Sequence, residues 1–161
     1  MSYLLDAEHA RFVQSGVSIT LSSRNEALRS SVGKGIACRV SEDRRTVTVF
    51  LVRKRAAPVL VDLEAGFPVA AVFCLPSTHR TIQLKASAAS VAPMDAAQAP
   101  EVVRQMEALV LDLATFGYTP SFVRAYFSYD ADDMVAVTFA PEAAFMQTPG
   151  PRAGTPMPAV A

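Results

Sequence analysis

Between Val17 and Val91 the chain keeps returning to the two-residue period of a β-strand, which constrains its fold more than any other feature. Val17-Ser-Ile-Thr-Leu-Ser22 alternates apolar and polar side chains without a break, the pattern of a strand with one face buried. Thr46 to Val52 is a β-branched run of high strand propensity. Val69 to Leu75 is continuously apolar and reads as a central strand buried on both faces. His79 to Val91 reads as one long alternating strand, with Ile82 and Leu84 on one side and Thr81, Gln83 and Lys85 on the other. Leu28 to Val40 is less regular and holds Gly33-Lys34-Gly35. Glycines inside a strand mark a bulge or a close backbone approach. Consecutive strands of this kind predict a mainly β domain, a small antiparallel barrel of about six strands flanked by helices.

The helices are fewer. Leu4 to Gln14 suits a short amphipathic helix ended near Ser15-Gly16. Pro58 to Glu64 reads as another, stopped by Gly66. Pro100 to Phe116 carries a wide stripe of Val102, Val103, Met106, Leu109, Val110, Leu113 and Phe116, with Glu101, Arg104, Gln105, Ala108 and Asp112 opposite. Such a stripe covers a sheet or a barrel end. Tyr118 to Phe127 is aromatic-rich and irregular, and Met134 to Phe139 alternates again as a last strand. From Thr148 onward, four prolines and two glycines exclude helix and central strand. Residues 1–147 therefore read as one domain, and 148–161 as a tail, either disordered or an extended arm.

With 51% apolar and 19% charged residues in 161, the chain implies a buried subunit interface as well as a core. No run approaches the ~20 apolar residues of a spanning helix, so no membrane role is expected. The N-terminus lacks the basic start and apolar block of a signal peptide, and the expected location is the cytoplasm. Cys38 and Cys74 have no Cys or His nearby at metal-ligand spacing; they read as buried free thiols, with no metal site. The net charge is zero but uneven, with nine basic residues against three acids between Arg24 and Arg55. That cluster is either a solvated hairpin surface or an anion site. A zero total argues against nonspecific nucleic-acid binding.

The order of elements, and four stretches within it, resemble the FMN-binding split β-barrel of the pyridoxamine 5′-phosphate oxidase-like family, a Greek-key-like antiparallel barrel. The stretches are Gly33-Lys34-Gly35-Ile36, Val49-Phe50-Leu51-Val52 with Arg53-Lys54-Arg55, Leu63 to Ala70, and His79-Arg80-Thr81-Ile82-Gln83-Leu84-Lys85. The resemblance covers about residues 8 to 140 and rests on order and spacing. It implies a homodimer with its flavin sites between subunits, and a flavin-dependent oxidoreductase acting on a small molecule. A non-catalytic flavin- or haem-binding protein is the alternative, and a relative without cofactor a third.

The residue types fit that expectation. A flavin phosphate needs charge-assisted donors, for which Lys34, Arg53, Lys54 and Arg55 are candidates. The ring needs apolar walls and donors to its carbonyls and nitrogens, and Thr81, Gln83 and Lys85 offer donors on one strand face. Arg80 belongs to the family-like strand. Hairpin pairing of the Lys34 and Arg53 strands would bring their cations together, with Thr81 to Lys85 facing the same groove. A solvated strand surface accounts for each of these residues too. His79 is the candidate for haem, and a surface loop position is the plainer account of it.

Overall fold

The structure is a computed structural model that describes residues 5–158; Leu4, expected in the first helix, lies outside them. The chain runs α1 (Ala7–Val13), β1 (Ser18–Arg24), β2 (Ser30–Val40), β3 (Val47–Val52), α2 (Arg53–Glu64), β4 (Val69–Leu75), β5 (Arg80–Ala86), β6 (Ser90–Pro93), α3 (Ala99–Ala114), α4 (Pro120–Tyr126), β7 (Met134–Phe139) and β8 (Ala143–Met146). All pairings are antiparallel, in the order β6-β7-β3-β2-β1-β4-β5-β8.

That order forces curvature. β5 and β6 stand six places apart in the sheet, about 29 Å if it were flat. Yet only residues 87–89 separate them in sequence, and Ala86 to Ser90 can span at most ~14 Å. The sheet must curl until its edges approach, while no ladder joins them. This is a barrel with a split.

Several expectations need correction. The described residues form eight strands rather than about six. The run from His79 to Val91 is two strands, because the chain turns at Ser87, whose N–H and hydroxyl both donate to Glu142 Oε1 at 3.1 and 2.5 Å. The second helix starts at Arg53, five residues before Pro58, so Arg53-Lys54-Arg55 forms its first turn and not a strand end. Asp133 Oδ2 accepts the Lys54 N–H at 3.3 Å and supplies from a distance what a capping residue would supply locally. The stretch from Tyr118 contains a helix, α4, whose N-cap Thr119 hydroxyl accepts from Phe122 N–H and whose first residue is Pro120, the favoured place for proline. β8, a four-residue edge strand, is too short to show a period.

Two apolar cores lie on opposite faces of the sheet. Inside the barrel, Phe12 and Val13 of α1 and Val59, Leu60 and Leu63 of α2 pack on Ile19, Leu21, Val49, Phe73 and Leu84. Gly33 faces this core. A Cβ there would stand 2.8 Å from Val59 and 3.0 Å from Ala56, so the glycine lets α2 lie against β2 and is a packing device rather than a ligand loop. The irregularity that the glycines suggested is real, a register shift between Gly35 and Ala37. Outside the barrel, α3 and α4 cover Ile36, Phe50 and Val52 with Val102, Leu109, Val110, Val123 and Phe127. Met106 and Leu113 join as half-buried neighbours, while Val103 and Phe116 stay exposed.

Gln105, expected on the solvent side of α3, is 1% exposed. It accepts from Cys38 N–H at 3.0 Å and donates to Cys38 C=O at 2.7 Å, serving backbone groups just past the bulge. Cys38 is buried and its thiol donates to Val13 C=O; burial pushes that thiol well above its usual pKa. Cys74 is only half-buried, because β4 buries one face alone. Val69, Ala71 and Phe73 point inward, and Ala70, Val72 and Cys74 look out. Among the described residues, those three are left half-buried on the outer face, outside the core that α3 and α4 cover.

The Pro-rich segment, expected as a disordered tail or an extended arm, folds back on the sheet over its described residues 148–158. It turns at residues 150–154 and runs back along β8. Gly154 N–H donates to Met146 C=O, Met146 N–H to Thr155 C=O, and Met157 N–H to Ala144 C=O.

Candidate functional site

Lys34 and Arg55 come from different elements and line one cavity of about 440 Å³ with Ile36, Val52, Tyr126 and Phe127. The strand period sends Lys34 to the outer face because its neighbours Gly33 and Gly35 face the core. Arg55 projects from the first turn of α2 toward the end of α4, where its Nη1 donates to Tyr126 C=O at 3.0 Å. A cation at a helix C-terminus is well placed electrostatically. That bond holds the guanidinium at the cavity wall.

Lys34 is half-buried, and its Nζ donates to Ser18 Oγ at 2.5 Å. Among the described residues no carboxylate pairs with it. Burial pushes its ammonium below the usual lysine range, and Cys74 nearby opposes that shift in part. A desolvated cation without a counter-ion is costly, and a site of this kind attracts an anion.

The other basic candidates do not converge here. Arg53 points along its helix toward Glu64, at 3.6 Å, with both side chains about half in solvent. Lys54 is exposed beside Asp133. Arg80 stacks over Phe12 at 4.4 Å and donates to Glu8 at 2.7 Å, at the α1 end of the barrel.

Thr81, Gln83 and Lys85 lie on the same open sheet face as Lys34, with β1 and β4 between. Register sets Lys34 beside Thr20, Thr20 beside Val72 and Val72 beside Gln83. Thr81 is buried, and its donors are spent on His79 C=O and Thr148 Oγ1. Gln83 Oε1 accepts from Gln147 at 3.2 Å, and Lys85 sits 4.8 Å over the Phe145 ring. His79 is exposed, with φ +58°, and lines none of these cavities.

A second cavity, about 350 Å³, adjoins the first and shares Lys34, Tyr126 and Phe127 with it. Leu109 and Leu113 of α3 form one wall, Tyr118 and Phe122 another, and Ser18 contributes a hydroxyl. α4 was missed in the sequence although its signals are present. Thr119-Pro120 is a capped start, and Phe122 with Tyr126, and Val123 with Phe127, keep the i, i+4 spacing of helix faces.

No family model and no curated protein matches the sequence. Solved structures do match the fold. A protein of Lactobacillus delbrueckii assigned as a pyridoxamine 5′-phosphate oxidase aligns with TM-score 0.54 at 16% identity, over 90% of this chain and 99% of the other. HupZ of Group A Streptococcus aligns with TM-score 0.56 at 11% identity, over 93% and 100%. An F420 reductase aligns with TM-score 0.54 at 12% identity, over 87% and 98%. At such identities the likeness speaks to architecture alone. The chain has the split-barrel fold of the pyridoxamine 5′-phosphate oxidase-like proteins.

Proposed function

We propose that the chain binds FMN beside Lys34 and Arg55 and works as a flavin-dependent oxidoreductase on a small molecule, as a homodimer. The observation that carries this reading is the meeting of those two cations against Tyr126 and Phe127, one cation half-buried and without a carboxylate. A phosphate dianion matches the charge, and the aromatic and aliphatic walls suit a flat ring. Thr20 and Gln83, in register with Lys34 across β1, β4 and β5, offer polar contacts to ring carbonyls. The bound flavin supplies the hydride chemistry. The chain's part is to hold the phosphate, orient the ring and exclude water. The known structures with this fold that are named for an oxidase or a reductase support the redox reading. The homodimer reading is supported by the outer face of β4, where the apolar Val72 and Cys74 are only half-buried.

The test is an FMN titration followed by absorbance and fluorescence. Each charge-assisted bond removed costs ~1.5–3 kcal/mol, so Lys34→Ala and Arg55→Ala should each weaken binding by at least ~10-fold. Arg53→Ala should do little, as should Arg44→Ala with Arg45→Ala in the β2–β3 turn. Equal losses from all of these would mean that only net charge matters and that the site is wrong. A Soret band in place of flavin absorbance would replace this reading with haem binding.

A further inference from the structure

We infer that the second cavity, between Ser18, α3 and α4, is the substrate subsite and takes a flat, uncharged aromatic molecule bearing a carbonyl oxygen. The inference rests on the flavin reading, since it assigns Lys34 to the cofactor phosphate.

The charge census of the lining decides the substrate class. It contains no carboxylate, no histidine and a single cation, Lys34, at the boundary with the first cavity. Once Lys34 is neutralised by a phosphate, a second anion here would be desolvated with no partner, which is unfavourable. A phosphorylated or carboxylated substrate is therefore excluded.

The walls decide the shape. Tyr118 and Phe122 stack at 6.0 Å with their planes 16° apart. Tyr118, Phe122 and Tyr126 are 51%, 58% and 59% exposed, an amount of open aromatic surface that marks a binding site when it rims a cavity. Leu109 and Leu113 close the floor. At about 350 Å³ the space suits a small molecule and not a peptide.

The Ser18 hydroxyl fixes the carbonyl. Ser18 Oγ accepts from Lys34, so its own O–H remains to donate to an acceptor, while the phenols of Tyr118 and Tyr126 belong to the exposed aromatic wall. In a largely apolar cavity, a hydroxyl donor held in place in this way selects a ligand with a well-placed oxygen.

The experiment uses FMN-incubated protein and the fluorescence of Nile red, which is flat, uncharged and carries a carbonyl. Flavone and pyridoxal 5′-phosphate serve as competitors. Flavone should displace the dye and pyridoxal 5′-phosphate should not. Phe122→Asp should weaken dye binding by about tenfold or more and leave FMN affinity within about twofold. Leu111→Asp, on the 72% exposed side of α3, should change neither. Equal effects of Phe122→Asp and Leu111→Asp, or displacement by the phosphorylated competitor as readily as by flavone, would overturn the inference. FMN uptake, read in the same samples by absorbance, separates the two readings. Uptake with dye binding indifferent to Phe122 sinks the subsite alone. Phe122-dependent dye binding without FMN uptake sinks the cofactor reading.

Discussion

Lys34 and Ser18 face each other across β1 and β2 with Nζ and Oγ 2.5 Å apart. A neutral hydroxyl stands where an ion pair would place a carboxylate. The arrangement is poor for stability and good for receiving an anion.

The free protein should therefore gain from losing the charge. Lys34→Met keeps the stem and removes the ammonium, and it should raise the melting temperature by a few degrees while abolishing tight FMN binding. A native lysine pKa below 10.5 means that the unfolded chain binds more protons than the native one in the window just below that value. Wild-type stability should rise with pH across that window, and Lys34→Met should lose the rise. A variant less stable than wild type at neutral pH would contradict this account.

The same depressed ammonium should set the alkaline limit of anion binding. FMN affinity should fall as pH rises through the lowered pKa, before ordinary lysines titrate. Lys34→Arg cannot lose its proton in this range and should flatten the fall, even if it binds less tightly at pH 7. Parallel pH profiles for the two proteins would exclude Lys34 as the group responsible.

Gln105 should matter more than its place on α3 suggests. Gln105→Leu leaves the Cys38 N–H and C=O without their partner inside the molecule. At ~1–3 kcal/mol for each of the two buried unsatisfied groups, denaturant unfolding should show a loss of about 2–6 kcal/mol. A change under about 0.5 kcal/mol would mean that water or a local shift replaces the side chain.

The proposed homodimer should use the open sheet face. Sedimentation should give twice the 17.2 kDa chain mass, and Val72→Arg, in the middle of the row from Lys34 to Gln83, should halve it without unfolding the chain. An obligate interface of this kind buries upward of ~2,000 Å². A wild-type protein that stays monomeric at micromolar concentration would refute it.

Most of the barrel was legible because alternation is a direct imprint of a sheet with one buried face. β1, β3 and β7 lie close to where the pattern puts them. The pattern failed where other forces act. Ser87 interrupts an alternating run because Glu142, remote in sequence, captures both of its donors. Val69 to Leu75 read as buried on both faces because apolar residues suit a half-buried outer face as well as a core. The α2 start was hidden by its cap, which comes from Asp133. At the site, Lys34 and Arg55 were both named, but which of the three neighbouring cations reaches the cavity depends on helical phase, and a triplet read as a strand end puts Arg53 and Arg55 on the same side. The aromatic wall was missed because a seven-residue helix offers barely two turns of period.

The return of the C-terminal segment along β8 has a consequence for solubility. β8 ends one side of the sheet, and its free backbone groups would template the strand of another molecule. Residues 154–157 occupy them instead. The covering strip then offers little to a newcomer, since Pro156 and Pro158 have no N–H to give. Truncation after Gln147 would uncover a live edge and invite chain-to-chain growth, so the prolines that forbid regular structure also act as a terminator for the sheet.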